Sequence, residues 1–315
     1  MQIRESTLLG ALVADAAALG LHWLYDPARI AQIEARSGLV FLEPDAAHYA
    51  DTKGYFAHGV KRAGELSGYG EVCLLMLQHL ARQGDFDRTA YQTEYRAHFG
   101  PGGAYVGYID SPTRQTLLRL LPLEPANFPA VSGADDDQLP ALAALPAIVL
   151  THRGRREALR ESVEAVVRIT NNNDVAVSAA QCMAQVLFDV QHGVAIATAL
   201  ADALPLAGPV LRPLLEQALA LPAFDSVAAG EQFGRACHVT QGLPLIFHIL
   251  QHAPSYRAGI EANIRAGGDS CGRSVMLGAT LGALFGPGSE NGVPLEWLAR
   301  VRQLQPITAA LAKIA

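Results

Sequence analysis

The chain has 315 residues, half of them hydrophobic, only 17% charged and 7% aromatic, with 24 Lys and Arg against 30 Asp and Glu. So much apolar material rules out disorder, because burying it offsets the entropy of ordering the chain. The net charge of −6 argues against a nucleic-acid partner, which needs a basic surplus to neutralise phosphates.

Residues 6–24 are apolar on most faces, with Gly10, Ala14 and Ala18 spaced by four. This pattern predicts a buried central helix whose flat side admits a second helix closely. The preceding MQIREST has one Arg against one Glu, and Asp15 interrupts the apolar run, so the stretch does not read as a signal peptide. Residues 69–83 repeat the buried-helix pattern and end at Gly84. Asp87 caps a segment running to Phe99, and Ser111 followed by Pro112 opens the next one.

Further helices are predicted over 139–151, 155–170, 174–191, 194–204 and 209–221, then over 243–251, 256–266, 272–285, 295–304 and 307–314. Pro140 and Pro146 kink or divide the first of these. No segment alternates like a strand, and no repeat is visible. The longest charge-free stretch, 236–256, holds three His, two Gln and two Pro, which is too polar for a bilayer, so no membrane partner is expected. Four widely spaced cysteines without a CxxC pair indicate neither a disulfide framework nor a zinc ribbon, and a reducing cytoplasm is the expected location. One all-α domain spanning 1–315 is the expected architecture.

The most unusual segment is Gly267-Gly268-Asp269-Ser270-Cys271-Gly272-Arg273, a glycine pair and a polar cluster opening a helix with Gly278, Gly282 and Gly286 at four-residue spacing. Asp269 there is either an N-cap or a group that meets a ligand or metal beside free amides. Cys271 at the same helix mouth is either a reactive thiol or a small buried residue. Asp15, a carboxylate inside an apolar helix, requires a partner. The helix exit, His22-Trp23-Leu24-Tyr25-Asp26, gathers an imidazole, an indole, a phenol and a carboxylate, as a pocket wall for a base or ribose would. Ser67-Gly68-Tyr69-Gly70-Glu71 is another glycine-bearing polar turn before a buried helix, with Glu71 in the first turn. Asp135, Asp136 and Asp137 read as a solvated loop that caps the next helix, and Asn173 or Asp174 as a cap. His248 and His252 share a helix face but lack a third metal ligand.

Together these motifs resemble the ADP-ribosylglycohydrolase family, whose opening Gly-Asp-Ala-Leu-Gly helix and closing Gly-Gly-Asp helix are similar to residues 9–26 and 265–286. The resemblance implies an all-α orthogonal helical bundle and a hydrolase that cleaves ADP-ribose from side chains or small acceptors, with a buried pair of magnesium ions. It departs at the metal motifs. The family's Thr-Asp-Asp-Thr corresponds to Ser67, Gly68, Tyr69 and Gly70, and its Gly-Asp-Thr-Asp to Gly268, Asp269, Ser270 and Cys271. One magnesium ion at Asp269 is the most that these motifs suggest.

His22-Trp23-Leu24-Tyr25-Asp26 with Gly-Asp-Ser-Cys-Gly-Arg is similar to the J-type lens crystallin branch, which shares the fold without a secure enzymatic role. The implied hydrolase uses Asp269 and Glu71 to position or activate water on a nucleotide-sugar substrate. Its binding wall comprises Asp15, His22, Tyr25, Ser67 and Tyr69, with Gly267, Gly268, Ser270, Cys271 and Arg273 at the closing helix and Arg273 on phosphate. The alternative is an inactive member acting as a ligand-binding or structural protein.

Overall fold

A computed structural model describes residues 3–314, and these fold into helices joined by turns and by longer loops at 38–67 and 121–144, with only isolated β-bridges and no strand. The first half contains α1 (Ile3–Ala18), α2 (Pro27–Ser37), α3 (Gly68–Gln83), α4 (Arg88–Phe99), α5 (Ser111–Leu120), α6 (Leu145–Thr151), α7 (Arg156–Thr170) and α8 (Asp174–Gln191). The second half contains α9 (Ile196–Ala203), α10 (Gly208–Leu219), α11 (Ser226–Phe233), α12 (Val239–His252), α13 (Tyr256–Ala266), α14 (Ser270–Phe285), α15 (Leu295–Leu298) and α16 (Leu304–Ile314). Among the described residues, no helix is long and apolar enough to cross a membrane.

The centre of the fold is the pair α1 and α14, the most extensive helix–helix contact in the molecule. Small residues make this possible. Gly10 on α1 faces Gly278 and Gly282 on α14, and Ala14 faces Gly278, so backbone lies against backbone. Tyr256 from α13 donates its hydroxyl to the Gly10 carbonyl at 2.6 Å, satisfying an oxygen that the close approach keeps from water. Helices α3, α6, α8, α12 and α13 surround the pair and join it in one contiguous apolar core.

Several boundaries differ from the sequence expectation for identifiable reasons. Residues 139–151 divide as the two prolines require, into a 3₁₀ turn at Leu139–Leu142 and α6. Helix α12 starts at Val239 and carries Pro244 inside, because burial of Leu243 through Leu250 outweighs one missing backbone donor. Residues 295–304 form only one turn of helix before α16 begins at Leu304. Helices α2 and α11 were not expected. Each starts from an aspartate, Asp26 or Asp225, whose side chain accepts two backbone N–H bonds.

Candidate functional site

The site lies where the ends of α1, α3 and α14 converge. Asp15 is fully buried in the last turn of α1. The Ser67 amide donates to its Oδ2 at 2.8 Å and the Ser67 hydroxyl to its Oδ1 at 2.5 Å. The same Ser67 Oγ accepts from the Tyr69 amide at 3.1 Å, so one hydroxyl both caps α3 and ties it to α1. Burial pushes the Asp15 carboxyl up to about 7, against the pull of the two Ser67 bonds. Gly70 makes this approach possible, since a Cβ there would lie 2.8 Å from Asp15 Cγ. Ser67→Ala leaves the backbone donor but removes the hydroxyl from a buried carboxyl and from the α3 cap. It is expected to lower stability by about 1–3 kcal/mol, read by urea denaturation.

Asp269 caps α14, accepting from the Gly272 amide at 3.0 Å, so the capping role is real. Its second oxygen accepts from the Tyr69 hydroxyl at 2.7 Å. Burial raises this carboxyl to about 6, while the Tyr69 bond and the Arg273 charge hold it down. The two preceding glycines have φ of +76° and +68°, and a Cβ on Gly268 would meet Arg235 Cβ at 2.6 Å. The turn threads between two strands of loop. Trp23 donates its amide to the Gly268 carbonyl at 2.8 Å, Gly268 to that of Leu24 at 2.7 Å, and Asp269 to that of Arg235 at 2.9 Å.

Arg273 is spent differently from the expectation that it pairs with phosphate. Its guanidinium is fully buried and donates to Asn263 Oδ1 at 2.7 Å and to the Gly267 carbonyl at 2.6 Å, bracing the glycine turn. Only Nη1 lacks a protein partner. Ser270 Oγ is also buried without one. Cys271 donates its amide to His22 Nδ1 at 3.1 Å, and burial pushes its thiol well above the usual range, so the small-buried-residue reading holds.

His22 is therefore an acceptor at Nδ1, and burial holds its imidazole well below the ordinary range. The 3.6 Å approach of Nδ1 to Asp269 Oδ1 is a contact between a neutral ring and a carboxyl, not an ion pair.

Around His22 stands a cluster of rings. Its imidazole lies 4.5 Å from Trp23 and 5.1 Å from His58, centroid to centroid, and 6.0 Å from Tyr69. Trp23 in turn meets Tyr108 edge-on at 5.0 Å and Tyr55 at 5.8 Å. Trp23 itself is held at φ +64°, a left-handed conformation costing a bulky residue about 1–3 kcal/mol. Its indole Nε1 and both ring nitrogens of His58 are buried without partners. Tyr25 lies half-buried beside this group, its hydroxyl pushed up by burial and by Asp269. Burial, followed by the Asp269 charge, raises the Cys237 thiol to about 12.

Of the expected site residues, the structure joins Asp15, Ser67, Tyr69, Asp269, Cys271 and His22 in one continuous set of contacts. Glu71 belongs to a different set. His98 Nε2 lies 3.1 Å from its Oε2, Gln303 donates to its Oε1 at 3.2 Å, and Lys61 Nζ stands at 3.9 Å. The sequence reading missed His58, Tyr55 and Tyr108, which arrive on loops outside the glycine motifs. The available signal was the crowding of scarce aromatics into residues 49–56 and 91–108. Asp136 is in its expected loop, accepting from the Gln138 amide at 2.9 Å, and Asn173 caps α8.

The donors do not suit a magnesium pair. Magnesium takes six oxygens at about 2.0–2.1 Å. Gly68 and Tyr69 stand where the first motif has its two carboxylates, Cys271 stands where the second has its last one, and both oxygens of Asp269 already accept hydrogen bonds. Among the described residues, no three His, Cys, Asp or Glu side chains gather as a metal group, the His248–His252 pair included.

The ADP-ribosylglycohydrolase family model matches residues 5–315. Crystallin J1A and Crystallin J1B of Tripedalia cystophora are each 26% identical, with 94% of this chain and 91% of the relative covered. The fold is similar to a solved "ADP-ribosylglycohydrolase-related protein complex", with a TM-score of 0.72 at 18% identity over 99% of this chain and 97% of that one. With its converging α1 and α14 ends and its match across nearly the whole length, the chain belongs to the ADP-ribosylglycohydrolase family.

Proposed function

We propose that this family member binds a nucleotide-sugar of the ADP-ribose type by ring stacking and hydrogen bonds, as a ligand-binding protein rather than a metal-dependent hydrolase. The observation that carries this reading is the ring cluster beside Asp269, with Trp23 Nε1 and the His58 nitrogens left without protein partners. Buried donors and acceptors are normally satisfied, and a base or ribose presents the planar face and the hydroxyls that complete such a wall. The J1 crystallins among its relatives support a role that does not require turnover.

The Asp269 carboxyl, held near 6, favours a second reading: hydrolysis of an N- or O-glycosidic bond of an ADP-ribosylated substrate, with Asp269 guiding the attacking water. In that reading Glu71 enters only through its ion-pair network, which stands apart from the Asp269 contacts.

Fluorescence separates binding from its absence, because the chain has two tryptophans and Trp297 is buried away from this cluster against Phe41 and Tyr256. Saturable quenching by ADP-ribose in EDTA is expected in the wild type and is expected to vanish in Trp23→Phe. Neither heat nor fluorescence change at millimolar ADP-ribose would sink the binding reading. Chromatographic detection of ADP-ribose released from ADP-ribosylarginine, lost in Asp269→Asn, would replace it with the hydrolase.

A further inference from the structure

We infer that the hydroxyls of Ser67 and Tyr69 do the work of a divalent cation at this site, so that three helix ends close around two carboxylates without metal. This stands independently of which ligand the site binds.

The problem the fold must solve is electrostatic. Asp15 on α1 and Asp269 at the head of α14 are both at 0% exposure, and α1 and α14 are packed backbone to backbone, so bulk solvent screens neither carboxylate. Buried carboxylates persist only beside a cation, a basic side chain or several hydrogen-bond donors. The mouth of α3 supplies donors. Ser67 gives its O–H and N–H to the two oxygens of Asp15, and Tyr69 gives its O–H to Asp269 Oδ2. The Gly272 amide takes Asp269 Oδ1, so all four oxygens accept a hydrogen bond. A cation would have to share each of these oxygens with a donor already in place.

Space points the same way. The glycine at position 70 brings α3 against Asp15 so closely that even a methyl group there would stand 2.8 Å from its Cγ. Across the seam, Cys271 Sγ lies 3.7 Å from the Asp15 carbonyl. On its α3 side the Asp15 carboxyl therefore has no room for the oxygen shell of a cation. Residues 67–70 thus divide two tasks. The glycine at 70 allows the close approach, and the hydroxyls at 67 and 69 reach α1 and α14 respectively.

The test uses the full chain and metal alone. Electron paramagnetic resonance of free Mn²⁺ is expected to show no saturable loss of signal on adding wild-type protein, and melting in EDTA and in millimolar MgCl₂ is expected to coincide. Saturable Mn²⁺ capture that Asp269→Asn abolishes, or a melting temperature raised by magnesium, would overturn the inference. Tyr69→Asp combined with Cys271→Asp returns two carboxylates beside Asp269 and is expected to capture Mn²⁺. A folded double variant silent towards Mn²⁺ would overturn the role given to Tyr69. Should that variant fail to fold, the wild-type measurements still decide.

Discussion

Gly278→Ala is expected to destabilise the protein by about 3 kcal/mol, near the upper end for overpacking a rigid core. The added Cβ would run into the Gly10 carbonyl oxygen, 2.5 Å from Ala14 Cβ and 3.0 Å from the Gly10 carbonyl carbon. These atoms are backbone or Cβ, so no side chain can rotate aside, and one helix must retreat from the other. Retreat is opposed at both ends: Tyr256 holds Gly10, and Ser67 holds Asp15 one turn further on. Alanine's better helix propensity returns about 1 kcal/mol at most, and the figure above is the net cost. At roughly 2–4 °C per kcal/mol, the melting temperature should fall by about 6–12 °C.

Gly84→Ala is the control. That glycine sits at φ +81° with nothing within 4 Å of its would-be Cβ, so it carries only the left-handed penalty of about 1 kcal/mol. Equal losses at the two sites would mean that α1 and α14 are not in backbone contact. Because α1 and α14 carry Asp15 and Asp269, Gly278→Ala should also weaken any ligand of the site, whereas Gly84→Ala should not.

The central pair was legible because it is written in small residues at regular spacing. Gly10, Ala14 and Ala18 on one segment and Gly278 and Gly282 on another mark two flat faces, and flat faces have few ways to pack. The cap at Asp269 and the buried need of Asp15 were equally visible, since both follow from local chemistry. What satisfied them was not. Tyr69 and Asp269 are 200 residues apart, and nothing at either position announces the other.

Gly68 and Tyr69 read as two carboxylates missing from a familiar motif. In the folded chain Tyr69 supplies a hydroxyl to Asp269, and Gly70 beside it is the spacer that lets α3 touch Asp15. Glu71 read as a catalytic candidate because it stands beside that motif. One helical position from Gly70, however, it turns about 100° away, to Lys61, His98 and Gln303. His58 lay outside every pattern, because a loop histidine becomes informative only when the rings that bury it are known.

That histidine makes the acid behaviour of the fold specific. Wild-type protein should lose stability below neutral pH in a way that His58→Phe does not. Burial lowers the His58 imidazole from its ordinary 6.5 to about 4, with the Lys61 charge adding to the effect. Above 6.5 the ring is neutral in both folded and unfolded chains and contributes no pH dependence. Between 6.5 and about 4 the unfolded chain takes up a proton that the folded chain refuses, so stability falls as pH falls, by about 3 kcal/mol in all.

Asp15 and Asp269 act in the opposite sense, because carboxyls raised to about 7 and about 6 are better protonated in the folded state. Both are present in the two proteins, as is His22, so the difference between wild type and variant reports His58 together with its charge on His22. Urea unfolding at neutral pH should find the two within about 1 kcal/mol, since phenylalanine matches the ring and neither imidazole nitrogen has a partner to lose. Near pH 5 the variant should be the more stable by about 2 kcal/mol. Parallel stability profiles would show that His58 titrates normally and is open to water. If its free nitrogens serve a ligand, the variant that gains acid stability should also be the one that loses ADP-ribose binding, and a core packing role alone would not couple those two results.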